Sequence, residues 1–192
     1  MSGPVALQTM TVALLVWMSG DAIGNCRTIY PSARVTERAS DPRYSSCTVL
    51  VTDYSALLSD QGVLARKLRP AFEKKLNGTP SAELQTKLKT YDDKATKLIG
   101  LAGELSTFKV FPVAPAAPAA AAASASASAS ASTLTVTDGR RLLKDSKELN
   151  RWLTERIGGL ESQVGNDKTA FCAHDFGTRI LNELHAKVQQ CF

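Results

Sequence analysis

The side chains best equipped for chemistry in this 192-residue chain are two histidines and four cysteines, and four of these six fall between positions 172 and 191. Cys172-x-His174, with His185 and Cys191, supplies zinc-ligand types, yet the spacing matches no finger-like site, where ligands come in close pairs. On a continuous helix His174 and His185 stand three turns apart. His174 and Asp175 are adjacent in sequence but diverge around a helix, so they form no base–orienter pair. The expected arrangement is a set of disulfide cysteines with both histidines on the polar face of the last helix. Asp92-Asp93, Asp53 and Asp60 read as caps and solvated positions. Phosphate-cradling glycine loops and nucleophile elbows are absent, and Asp175-Phe176-Gly177 stands without any other kinase element. No catalytic residue, cofactor or metal site is assigned.

All four cysteines follow an apolar leader free of Lys and Arg, whose run Thr11–Met18 has the length of a signal-peptide core. Small residues Gly20, Ala22 and Gly24 offer cleavage after Ala22 or Gly24. A leader followed by an even cysteine count reads as export to an oxidising compartment. The expectation is therefore a secreted, extracellular protein, the leader occupying 1–24. The alternative is an uncleaved anchor, which would hold the protein on a membrane facing such a compartment.

The formal charge of +5 comes from basic residues scattered among acids along helical stretches, without interleaved aromatics or a nucleic-acid motif. Nucleic acid is not expected as a partner. Residues 112–133 contain little beyond Ala, Pro and Ser, with nothing to bury and no charge, and read as a flexible low-complexity linker. It separates 25–111, an N-terminal extension with a first αα-hairpin, from 134–192, a second hairpin.

Within the first hairpin, Ser40-Asp41-Pro42 signals a helix start. From Cys47 to Leu76 apolar residues recur at three- and four-residue steps, which favours helix over the short strand that Thr48–Val51 could form. Pro70 should kink this helix, Asn77-Gly78 should close it, and Thr79-Pro80 should open the next. That next helix, 80–108, carries a heptad seam of Leu84, Leu88, Tyr91, Ala95, Leu98, Ala102 and Leu105. Core packing explains the seam, and a coiled coil between copies, giving a homo-oligomer, is the alternative. Asn77-Gly78-Thr79 is an N-glycosylation acceptor at this turn, with Pro80 disfavouring its use.

In the second hairpin Thr137-Asp138 should cap a helix burying Leu142, Leu143, Leu149, Trp152, Leu153, Ile157 and Leu160. Gly165-Asn166-Asp167 turns the chain, and the last helix buries Phe171, Cys172, Phe176, Ile180, Leu181, Leu184, Val188 and Cys191. Residues 51–68 and 136–153 share nine identities in eighteen positions, an internal repeat that would relate the two hairpins. Shared amphipathic composition inflates the score.

Two hairpins that each leave an apolar face open complete one core by docking. The expected fold is all-α, a disulfide-stapled antiparallel four-helix bundle. Along one helix Cys172 and Cys191 would stand about 28 Å apart, far beyond bonding distance. An up-down-up-down order puts Cys47 beside Cys191 and lets Cys26, on a long extension, reach Cys172. The rival pairing, Cys26–Cys47 with Cys172–Cys191, requires the last helix to break. The function expected is a secreted, non-enzymatic binding protein recognising a protein or apolar ligand. The alternatives are a membrane-anchored or surface spacer self-associating through helix 80–108, and an enzyme using His174 or His185.

Overall fold

The computed structural model describes residues 26–108 and 136–192. The leader 1–24 and the linker 112–133 lie outside the described residues. The described chain is helical at residues 26–29 and then in α1 Ser32–Ala39, α2 Cys47–Lys67, α3 Arg69–Lys75, α4 Ser81–Ser106, α5 Val136–Ile157 and α6 Lys168–Gln189. Among the described residues there is no strand, and the class is all-α with two disulfides.

The start signal at Ser40-Asp41-Pro42 produces a 3₁₀ turn, Pro42–Ser45, before the α-helix. The Asp41 carboxylate accepts the Arg43 N–H at 3.0 Å, satisfying one of the turn's open donors. α2 proper begins at Cys47 and takes up Thr48–Val51 as helix, with Leu50 and Val51 buried. Pro70 divides the predicted helix in two. α2 ends at Lys67, and Pro70 sits in the first turn of α3, where a missing N–H breaks no bond. Gly78, at φ +91°, makes the turn into α4 that residues with a Cβ rarely adopt.

The heptad seam is buried inside the chain itself. Tyr91, Ala95, Leu98 and Leu105 are fully enclosed and Leu88 and Ala102 nearly so, while Leu84 is only half-buried. α4 packs against α2 and α5, and α2 also packs against α6. The small seam residue Ala95 is met by an equally small one, since a Cβ at Gly62 of α2 would stand 2.9 Å from the Ala95 carbonyl oxygen. The Ile99 side chain of α4 occupies the rest of that space, so the missing Cβ at Gly62 is what lets α2 close on α4. Near the break after Lys67, the Tyr91 hydroxyl donates to the Ala65 carbonyl at 2.8 Å, and its ring stacks on Phe72 at 4.6 Å.

Thr137 and Asp138 lie inside the first turn of α5, where Asp138 pairs with Arg141 at 3.3 Å. α6 runs unbroken through Gly177, whose absent Cβ leaves room for the Gln61 side chain. The cysteines are joined Cys26–Cys172 and Cys47–Cys191, with Cα separations of 5.0 and 5.6 Å, the pairs that the helix order implies. Between them the N-terminal extension descends along α6 and forms α1, a helix the sequence reading did not include. Its hold on α6 is largely polar. Arg179 donates to the Tyr30 carbonyl at 2.9 Å, Lys187 to the Ala39 carbonyl, and Tyr30 stacks on Phe176 at 4.6 Å. At the Cys47–Cys191 end, Phe108 and Phe192 meet edge to face at 4.7 Å over Gly139.

Gly62→Ala should destabilise the protein by about 1–3 kcal/mol, because its methyl group collides with the Ile99 side chain and the Ala95 carbonyl of α4. Gly100→Ala, at an exposed α4 position with nothing near the new methyl group, should stabilise by roughly 0.5–1 kcal/mol. Urea unfolding of the two variants checks the opposite signs. Replacing either cysteine pair by alanine opens a loop of more than a hundred residues and should remove about 3–5 kcal/mol by the same measurement.

Candidate interaction surface

The two histidines occupy the apolar face of α6, not its polar face. His174 is 1% exposed and His185 6%. Their spacing to Leu181, Leu184 and Val188 in three- and four-residue steps places them on the buried stripe, a signal present in the sequence but overridden by treating imidazole as polar. Nothing hydrogen-bonds His174 Nε2 among the described residues, and burial pushes the imidazole down to about 4. It is neutral near pH 7 and enclosed by core, out of reach of a substrate. His185 Nδ1 lies 3.1 Å from the Tyr54 hydroxyl of α2. Burial first, and the nearby Lys147 charge second, hold His185 below the ordinary imidazole range. Burial likewise raises the Tyr54 phenol, which keeps its proton.

The zinc-ligand types at the C-terminus are not brought together, because Cys172 and Cys191 are committed to different disulfides. Asp175 pairs along its own helix with Arg179 at 3.3 Å. Asp92 holds Arg69 at 2.9 Å, and Asp93 holds Lys89 at 3.3 Å. Asn77 is exposed at the turn between α3 and α4. A polar crossing lies in the interior, with Thr178 of α6 donating to Gln61 Oε1 of α2 at 3.1 Å and Thr154 of α5 3.4 Å from Thr178. Ser55 and Ser146, also buried, return their hydroxyls to carbonyls of their own helices.

Trp152, Phe176 and Cys191, expected in the core, are half-buried, and Trp152 is the one that lines a groove. It is half-buried rather than part of the closed core, because Leu149 and Leu153 take the inward line of α5 and leave position 152 to one side. The indole lines a groove of about 350 Å³ between α4 and α5. The Arg156 guanidinium covers the ring at 3.9 Å, the Lys94 ammonium stands 5.5 Å from its centroid, and Tyr91 packs behind it at 6.5 Å. These contacts hold a large amphipathic ring at the surface in one orientation, the property that makes Trp and Arg dominant anchors in interfaces. Lys94 and Lys97 of α4 line one side of the groove, and Asp145, Glu148 and the Arg151–Glu155 pair of α5 the other, which leaves the α5 side acidic on balance. The signal in the sequence was the run of charged residues flanking position 152, from Glu148 to Arg156.

Comparison with protein families, with curated proteins and with solved structures finds no match to the chain.

Because the folded state holds His174 neutral down to about 4 while the unfolded chain protonates it near 6.5, unfolding takes up a proton between these values. Stability conferred by the neutral ring is complete above pH 6.5 and falls as pH drops through that window, by up to about 3 kcal/mol. His174→Gln should flatten the profile between pH 6.5 and 5, where most carboxylates remain ionised. Urea titrations of both proteins at several pH values give the difference directly.

Proposed function

We propose that this chain is a secreted, non-enzymatic binding protein that recognises a protein partner through the α4–α5 face centred on Trp152. The scaffold in this reading is a disulfide-stapled antiparallel bundle of α2, α4, α5 and α6, two αα-hairpins docked face to face. The extension and α1 are strapped across α6. The observation that carries it is the Trp152 indole, held by Arg156 and Lys94 at the mouth of a groove with opposed charges on its two walls. A partner segment presenting an apolar tip between a basic and an acidic flank would complement that groove.

An apolar small molecule is a poorer fit to this site, since the groove is open and lined largely by charged side chains. The spacer reading asks helix 80–108 to pair between copies through its seam, but those side chains already fill the chain's own core. Two disulfides support export, and among the described residues no helix is long and apolar enough to cross a membrane.

Labelled protein should bind cells of the source organism saturably. Trp152→Ala and the exposed-side variant Lys94→Glu/Lys97→Glu should each weaken that binding by tenfold or more, on the order of 1.4 kcal/mol. Saturable binding unaffected by either variant would remove the α4–α5 face as the recognition surface. Concentration-dependent dimers in sedimentation, with no cell binding, would favour the spacer.

A further inference from the structure

A second groove, about 480 Å³, lies between α5 and α6 on ground that the Trp152 surface does not use. Its lining includes Arg140, Lys144 and Lys147 of α5, with Leu143 beneath them and His185 and Gln189 of α6 opposite. Positions 140, 144 and 147 follow the spacing of one helix face, so the three cations form a row about 10 Å long. No ion pair engages any of the three among the described residues, whereas Arg141 and Arg151 on the same helix are paired with Asp138 and Glu155. No carboxylate lines this groove, in contrast to the one beside Trp152.

We propose that this groove binds a sulfated polysaccharide, its sulfate groups held by Arg140, Lys144 and Lys147 and by the Nε2–H of His185.

His185 is what distinguishes the groove from a row of surface cations. The Tyr54 hydroxyl is buried with His185 Nδ1 3.1 Å away, and where the phenol donates to that nitrogen the ring carries its hydrogen on Nε2. In that tautomer Nε2–H is the ring donor that remains for the groove His185 lines. An uncharged, fixed N–H donor beside three cations suits an oxyanion. Gln189, donor and acceptor both, suits a sugar hydroxyl. A linear chain can follow a concave lining that a flat bilayer cannot. Apart from His185 no aromatic ring lines the groove, so nucleic-acid bases would have little to stack on. The proposal stands on different residues from the Trp152 reading and survives its failure.

The test is calorimetric titration with a heparin oligosaccharide and with the same oligosaccharide desulfated. The proteins are the wild type, Lys144→Glu/Lys147→Glu, and a charge-matched control on α4, Lys87→Glu/Lys89→Glu. Residues 144, 147, 87 and 89 are all exposed, and melting curves verify each fold. Sulfate-dependent binding should weaken roughly tenfold or more in the α5 variant and change less than about twofold in the α4 control, its salt dependence falling in the α5 variant. Equal loss in both variants, absence of sulfate-dependent binding, or tighter binding to phosphatidylserine vesicles or single-stranded DNA than to the sulfated oligosaccharide would overturn the proposal.

Discussion

The structure depends on α6 being fastened at both ends to the beginning of the described chain. Cys172 near its start is bonded to Cys26, and Cys191 just past its end is bonded to Cys47. Each bond spans more than 140 residues, so each removes a large share of the freedom of the unfolded chain. The consequence is local as well as global. With both ends of α6 fixed, the extension between Cys26 and Cys47 must run along it, and this proximity lets short, largely polar contacts hold α1. Only Val35 of α1 is buried, too little apolar surface to dock an eight-residue helix unaided.

The same fastening explains how α6 can carry polar groups into the interior. His174, His185 and the Thr178–Gln61 pair all lie on or against its inward face, and His174 Nε2 lacks a partner among the described residues. A buried imidazole without a partner for one nitrogen costs stability, and the ring stays neutral to avoid the larger cost of a buried charge. Covalent links at both ends offset that cost without requiring a fully apolar core. His185 differs from His174 because Tyr54 completes it from α2, and because the ring also reaches the surface groove. Two histidines on one helix therefore have different environments, one sealed and one poised between core and groove.

α5 is the helix that organises the surface. Its inward line of Leu142, Leu149, Leu153 and Ile157 fills the core. On one flank Trp152 meets α4 with acids and bases facing each other, and on the other Arg140, Lys144 and Lys147 meet α6 with no acid in the lining. Small residues elsewhere set the spacing of α2 against its neighbours. Gly62 against Ala95 draws α2 onto α4, and Gly177 admits Gln61 between α2 and α6.

By itself the sequence determined the helical class, the turn at Gly78, the break at Pro70 and the partners of all four cysteines. The first three follow from local backbone chemistry, and the cysteine partners from helix length set against the reach of a disulfide together with an up-down-up-down helix order. It did not determine α1, whose place comes from Arg179 and Lys187 donating to distant carbonyls, contacts between positions almost 150 residues apart. Nor did it orient His174, His185 or Trp152. Periodicity shows which residues share a helix face, but a ring with both apolar and polar edges fits either side of the boundary. Which side is taken depends on what the neighbouring helix presents: Tyr54 across from His185, and Tyr91 behind Trp152. Only tertiary packing supplies those neighbours.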